Sequence, residues 1–450
     1  MKDFTLAEIA KACNGEYVGD ESLKNTKITS VERDSRQVNN GSLFLAIKGE
    51  RVDGHDFIEK CFAQGAVCAL CEKAPENATK PCIVVPSTLD AVKKIGRAYR
   101  EKFDIPVIGI SGSVGKTSTK EMLYAVLSQR FKTHKTQGNL NNELGVPLTL
   151  LSMPEDTEAA VIEMGISNFG EMTRLSEMVQ PTICVLTIIG ECHLENLGDR
   201  DGVLKAKTEM FKNARENADF ILNGDDDKLS TVKTVNGKKP VFFGLDAKND
   251  FYAKNIKNSG DGKVLATLCF DNNNIDVEIP AIGTYMVTNA LAAAAAGKLL
   301  GLTDEEIANG VASFKTVGSR ANVINTGKIK IIDDCYNANP TSVRASLDTL
   351  SNLDGRKVAI LGDMKELGSE ELKLHFDTGV YAKSKGIGTV ITVGELAKEL
   401  AKGADGKAFD TIEDAKPEIL KTIKSGDVVL VKASHSMQFE NIVEFLKQNF

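Results

Sequence analysis

Ile108-Gly-Ile-Ser-Gly-Ser-Val-Gly-Lys-Thr-Ser-Thr119 is the stretch from which the fold follows. An apolar run enters a turn holding Gly112 and Gly115, and a helix is predicted to begin near Thr117. Glycines let backbone N–H groups converge on phosphate oxygens, and the helix N-terminus adds a favourable dipole. In that geometry Lys116 reaches the β- and γ-phosphates of ATP and Thr117 holds Mg²⁺. The spacing departs from the general Gly-x₄-Gly-Lys pattern, because Ile110 stands where the first glycine belongs. The loop is therefore a compact variant, and its candidate ATP contacts are Gly112, Ser113, Val114, Gly115, Lys116, Thr117 and Ser118.

On either side of this loop the pattern is an alternation of apolar strands and helices. Strands are predicted at 105–110, 159–164, 182–189 and 219–222, near-continuous apolar runs of the kind buried on both faces of a sheet. A helix over 117–131 carries the stripe Met122, Leu123, Val126 and Leu127. Residues 241–279 read as antiparallel strands and turns. Helices follow over 285–300 and 303–314, the second opening with a capping box of Thr303 and Glu306. From Gly318 the alternation restarts, with strands at 329–332, 357–361, 389–393 and 427–431 and a helix opening at Pro340. Before the loop lie short strands and turns up to about residue 85, then a helix over 88–103 that leads into the second domain. The expected architecture is α/β with three domains. These are a small α/β domain over 1–85, a central P-loop ATPase-like domain with a mostly parallel sheet over 86–317, and a Rossmann-like C-terminal domain over 318–450.

Composition narrows the partners. A chain of 450 residues exceeds one core, and 42% hydrophobic with 26% charged residues is ordinary for a soluble protein. A net charge of −7 argues against nucleic acid. The first ten residues space Phe4, Leu6, Ile9 and Ala10 as a short amphipathic helix and lack the apolar core of a signal peptide. The longest apolar run, 290–296, is far short of a membrane span. Nine cysteines scattered through a long chain fit a reducing cytoplasm. Cys68-Ala-Leu-Cys71 has metal or redox spacing, but its apolar flank, 66–70, reads as a buried strand with the thiols as small hydrophobes.

Two further residues belong near the phosphate loop. Glu163 ends one apolar strand and His193 follows the next, at the edge where ligands of open parallel sheets collect. Either alone is unremarkable, whereas together they suggest a metal role. Here the chain resembles the Mur ligase family. The resemblance rests on Gly112–Thr117, on Thr136-Gln-Gly-Asn-Leu-Asn-Asn-Glu-Leu-Gly-Val-Pro-Leu-Thr149, on Glu163-Met-Gly165 and on Gly190-Glu-Cys-His-Leu-Glu-Asn-Leu-Gly198. Asp333-Asp-Cys-Tyr-Asn-Ala-Asn-Pro340, Leu361-Gly-Asp-Met-Lys-Glu-Leu-Gly368, Asp34-Ser-Arg36 and Asp53-Gly-His-Asp-Phe57 are similar to the branch that adds a D-alanyl-D-alanine dipeptide. The phosphate loop is shared with folylpolyglutamate synthases.

That resemblance implies residue roles. Ser35 and Arg36 would hold the uridine diphosphate of the substrate, a role suited to arginine's planar donor fork. Without the family context, Asp34-Ser-Arg36 is equally a turn with a surface ion pair. Asn139 and Asn142 match positions near substrate and phosphates, Asn289 an adenine contact, Arg320 a phosphate contact and Asp334 a ribose contact. Tyr336, Asn337 and Asn339 lie where the incoming dipeptide is expected. Lys207 matches a carbamylated lysine that joins Thr117, Glu163 and His193 as a metal ligand; from the residues alone, Lys205 competes with it. One departure stands out: Lys432-Ala-Ser-His-Ser-Met437 has His435 where the family element has arginine. A fixed positive charge is thereby lost near neutral pH.

The implied reaction is ligation of D-alanyl-D-alanine to a UDP-N-acetylmuramoyl-tripeptide, driven by ATP with Mg²⁺, in a cytoplasmic monomer that neither inserts in membranes nor binds nucleic acid. Lys116, Glu163, His193 and Lys207 are the expected catalytic set. Another Mur-type amino-acid ligase or a folylpolyglutamate synthase-like ligase is the alternative. A regulatory GTPase would require an Asn-Lys-x-Asp run, which the chain lacks.

Overall fold

The computed structural model describes residues 1–259 and 262–450. The phosphate loop sits where the sequence places it, between β6 (Val107–Ser111), buried along its whole length, and the helix Lys116–Leu127. Around β6 a six-stranded sheet assembles from β7 (Thr133–Lys135), β8 (Ala159–Glu163), β9 (Ile183–Leu186), β10 (Asp219–Asn223) and β11 (Val241–Phe243). Its order is β11-β10-β9-β6-β8-β7, parallel throughout. The strand order reverses at β6, and the loop after β6 faces those after β8 and β9. This is the switch point where ligands of doubly wound sheets bind.

The N-terminal domain forms a five-stranded sheet of order β1-β5-β4-β3-β2. Its strands are β1 (Glu16–Val18), β2 (Ser30–Glu32), β3 (Ser42–Leu45), β4 (Cys68–Cys71) and β5 (Cys82–Val84). Cys68, Cys71 and Cys82 are buried, as is every other cysteine, so the apolar-strand reading of the Cys68–Cys71 pair holds. The helix Leu6–Cys13 opens with a Thr5/Glu8 capping box. The helix Thr88–Glu101 belongs to both domains. Its Tyr99 stacks near Phe4, takes a hydrogen bond from the Lys2 amide and donates to the Met153 carbonyl at 2.8 Å. Arg100, fully buried on the same helix, donates to the carbonyls of Val179 and Phe103 and so satisfies a helix C-terminus that would otherwise be unpaired.

Residues 241–279 divide differently from the sequence expectation. β11 is not antiparallel: it lies parallel to β10 and extends the central sheet. Its Phe243 is buried with Phe251 in the core beneath the central sheet, while Val241 and Phe242 are half-buried, and this burial favours the sheet edge over a hairpin. The remainder forms the expected antiparallel sheet, β12 (Tyr252–Ser259), β13 (Lys263–Phe270) and β14 (Asn273–Ile279). In β14 alternate residues Ile275, Val277 and Ile279 are buried, the two-residue period of a half-covered strand. This sheet closes on the helix Tyr285–Leu299, whose Ala290–Ala296 run is fully buried against the phosphate-loop helix. Small side chains allow that approach: a Cβ on Gly310, in the next helix, would meet the Val126 Cα at 2.4 Å.

The C-terminal sheet has order β15-β16-β20-β17-β18-β19. It comprises β15 (Asn322–Asn325), β16 (Lys330–Asp333), β17 (Arg356–Gly362), β18 (Thr389–Val393), β19 (Lys407–Phe409) and β20 (Asp427–Lys432). Only the edge pair β15–β16 is antiparallel. The helix opening at Pro340 has Asn339 as its N-cap and packs over this sheet.

Candidate active site

The loop after β6 is held from its neighbours. The Ser113 amide donates to the Ile188 carbonyl, and Thr187 Oγ1 donates to the Val114 carbonyl at 2.6 Å. Gly112 has φ 150° and Gly115 φ 85°. At Gly112 a Cβ would collide with Thr187 Oγ1, 1.9 Å away, so close approach as well as backbone angle demands glycine. Lys116 Nζ donates to the Gly112 carbonyl at 2.8 Å, arching over the loop it serves.

Buried beside the loop is a polar cluster. Thr117 Oγ1 donates to Glu163 Oε2 at 2.9 Å, and Asn141 Nδ2 donates to Glu163 Oε1 at 2.8 Å. Lys120 Nζ lies 3.6 Å from the same carboxylate. Glu163 and Thr117 are 1% and 5% exposed, and an ionised carboxylate at that depth requires such partners. Asn141 and Lys120 were not singled out in the sequence. Lys120 carried a usable signal, because it lies three residues beyond Thr117 on one helical face. Asn141 is one of three asparagines in 139–142, and only the fold tells them apart. Asn139 is exposed and does not line the cleft, while Asn142 lines it but spends its Oδ1 capping the helix Gly145–Leu151.

The two competing lysines separate cleanly. Lys205 lies over the Phe169 ring at 5.6 Å from its centroid. Lys207, on the same helix Arg200–Thr208, is 1% exposed, and no hydrogen bond or ion pair among the described residues engages its amine. Burial pushes its ammonium down to about 8, opposed by Cys192 and assisted by the charge of Lys116. Compared with the ordinary lysine value, that corresponds to about 3 kcal/mol against the charged form. Lys207 is therefore a buried amine with a larger neutral fraction than an exposed lysine has, beside the phosphate loop and the Cys192–His193 segment.

A cleft of about 900 Å³ runs from this cluster to the C-terminal domain. Ser113 to Ser118, Asn142, Glu163, His193, Asn289, Arg320, Asp334, Tyr336, Asn337 and Asn339 line it. Gly112 and Lys207 are buried and do not line it, nor do Ser35 and Arg36. Asn289 Oδ1 accepts from Thr119 Oγ1 at 3.0 Å, tying the alanine-rich helix to the phosphate-loop helix. The Arg320 guanidinium stacks 3.6 Å over the Tyr336 ring, with His435 on the same tyrosine at 5.9 Å. Asp334 accepts from Lys432 Nζ at 2.7 Å and from Ser346 Oγ at 2.6 Å, which fixes its carboxylate at the cleft wall. The Asp34–Arg36 turn carries the ion pair that its residues allow, at 2.6 Å, and Arg36 holds the Asp34 carboxyl down to about 2.

Three family models match: Mur ligase family, catalytic domain over 27–101; Mur ligase middle domain over 110–297; and Mur ligase, glutamate ligase domain over 319–435. A relative from Bacillus subtilis (strain 168), UDP-N-acetylmuramoyl-tripeptide–D-alanyl-D-alanine ligase, is 36% identical, with 98% of each chain covered. The chain belongs to the Mur ligase family. Among solved Mur ligases, MurF from Acinetobacter baumannii aligns at TM-score 0.92 and 32% identity, covering 100% of this chain and 99% of that one. The MurF ligase from Thermotoga maritima, solved in complex with ADP, aligns at TM-score 0.84 and 30% identity over 93% and 97% of the two chains. The family's three-domain α/β fold is thus the one the sequence predicts. No helix among the described residues is long and apolar enough to cross a membrane.

Proposed function

We propose that this Mur ligase joins D-alanyl-D-alanine to a UDP-N-acetylmuramoyl-tripeptide, consuming ATP and releasing ADP and phosphate in peptidoglycan precursor synthesis. The single observation that carries the reading is the shared cleft, in which the phosphate loop and the Tyr336–Asn339 segment face one another across about 900 Å³. A nucleotide on the first is in reach of an amine held on the second.

The chemistry follows from charge. A carboxylate is a poor acyl donor, and both it and ATP are anionic. Lys116 binds the β- and γ-phosphates, and Arg320, kept flat by Tyr336, adds a second cation from the C-terminal domain. The buried Thr117 hydroxyl and Glu163 carboxylate offer the hard oxygen donors that suit Mg²⁺. His193 and a carbamate on Lys207 would complete the proposed ligands, and an ion held there would offset the charge that repels the two anions. A neutral lysine amine is the form that combines with CO₂, and burial favours it at Lys207. The tripeptide carboxylate attacks the γ-phosphorus to give an acyl phosphate and ADP. The dipeptide amine then attacks the acyl carbon and phosphate leaves. Closure of the 318–450 domain over the 86–317 domain excludes water from that intermediate. The 1–85 domain, through Ser35 and Arg36, holds the uridine diphosphate. The enzyme works as a cytoplasmic monomer.

The test is a product assay by mass spectrometry. With ATP, Mg²⁺, either a lysine- or a diaminopimelate-ended UDP-tripeptide and D-alanyl-D-alanine, one pentapeptide product and one ADP per turnover are expected. Equal product from single amino acids or from folate and glutamate would overturn the assignment.

A further inference from the structure

The loop that carries His193 is gripped from the C-terminal domain at two points. On one side Thr341 Oγ1 donates to Glu191 Oε2 at 2.5 Å, and a Cβ on Gly190 would strike that threonine. On the other side Glu366, in the turn after β17, places Oε2 2.5 Å from His193 Nδ1. The two residues meet in unusual backbone: His193 has φ 51° and Glu366 φ 64°, both left-handed. The Glu195 amide reaches the Glu366 carbonyl at 3.5 Å, and a Cβ on Gly368 would press on the Glu195 backbone at 3.3 Å. His193 Nδ1 is buried, and the carboxylate lies close to it but off the axis of a well-formed hydrogen bond.

We infer that Glu366 is a positioning residue that orients His193 toward the catalytic cation only when the C-terminal domain is docked. The inference rests on reading His193 as a metal ligand. A carboxylate at Nδ1 keeps the proton there, which leaves the Nε2 lone pair free to ligate from the cleft side. Because the carboxylate comes from a different domain than the imidazole, His193 is held in its ligating orientation only in the closed arrangement. Closure and cation binding are then linked: each favours the other by the same factor. Such a device withholds phosphoryl transfer until the domain that delivers the dipeptide is in place.

The experiment measures Mn²⁺ affinity by electron paramagnetic resonance on the full chain with ADP, alongside steady-state kinetics. Glu366→Gln keeps the size and removes the charge at a half-exposed position, so folding is preserved. It is expected to weaken Mn²⁺ binding ~10–100-fold and lower kcat, with KM for the UDP-tripeptide unchanged and kcat partly restored at high Mg²⁺. Thr341→Val, which removes the other grip, loosens docking alone, so it should lower Mn²⁺ affinity far less than Glu366→Gln does. If Glu366→Gln behaves as Thr341→Val does, Glu366 merely fastens the domain and the inference fails. His193→Ala separates the two levels. Unchanged Mn²⁺ affinity there overturns the ligand reading and the inference with it, whereas weakened affinity in His193→Ala beside an unaffected Glu366→Gln overturns the inference alone.

Discussion

The phosphate loop and the Asp34–Arg36 turn are both assigned to phosphate groups, and they are built in opposite ways. Around the loop the backbone and its neighbours are held before a ligand arrives: Thr187 and Ile188 pin the loop, Thr117 and Asn141 each donate to Glu163, and Lys116 already bends over it. In the turn, the Arg36 side chain is 84% exposed and engaged with its own neighbour Asp34. An exposed pair of this kind contributes little to stability and is readily exchanged for another anion. Burial explains the contrast. The transferring phosphate needs donors that do not reorganise, whereas the diphosphate of a large substrate only needs to be held, and a loosely committed arginine suffices.

The contrast is sharpest at Lys116. Lys116→Ala is expected to lower kcat by ~10³-fold or more while circular dichroism and thermal melting stay close to those of the parent chain. Substantial ligation by the folded variant would mean that the fixed loop is not the phosphate site. Next comes Lys207→Ala, expected to lose ~10²–10³-fold in kcat and to recover part of it in concentrated acetate or formate, which can occupy the vacated carboxylate position. Lys205→Ala should stay within about twofold of the parent, since its amine lies over the Phe169 ring. Inactivation by Lys205→Ala alone would relocate the carbamate. The smallest effect belongs to the turn: Arg36→Ala should raise KM for the UDP-tripeptide ~10–100-fold, the scale of one lost charge-assisted contact, with KM for ATP unmoved. A selective rise in KM for ATP would erase the division of labour between the two segments.

Much of this was legible because strand, turn and helix signals agree around 108–119, and buried parallel strands announce themselves as unbroken apolar runs. β6, β8, β9 and β10 therefore fall within a few residues of their predicted spans. The edges were harder. β7, Thr-His-Lys, is wholly polar, and β19, Lys-Ala-Phe, is three residues long with no buried side chain, so no period marks either. β11 was misassigned because three apolar residues do not reveal whether their partner runs parallel or antiparallel. At the site, Ser113–Ser118 and Tyr336, Asn337 and Asn339 line the cleft as expected, Asn139, Ser35 and Arg36 do not, and partners that act across the fold were not singled out. Lys120 and Asn141 owe their place to Glu163, and Glu366 owes its place to a histidine in another domain. Lys207 was named by resemblance alone, and what distinguishes it from Lys205 is a burial that no local spacing encodes.

All nine cysteines are buried, including the Cys71 and Cys82 thiols that face each other between neighbouring strands. The folded surface is therefore chemically silent toward thiol reagents. A single cysteine introduced on the outer face of the first domain and another on the third would take up fluorophores cleanly, with none of the native nine removed. Energy transfer between them would then follow the opening and shutting of the enzyme in real time, in a protein whose own sulfurs report only when it unfolds.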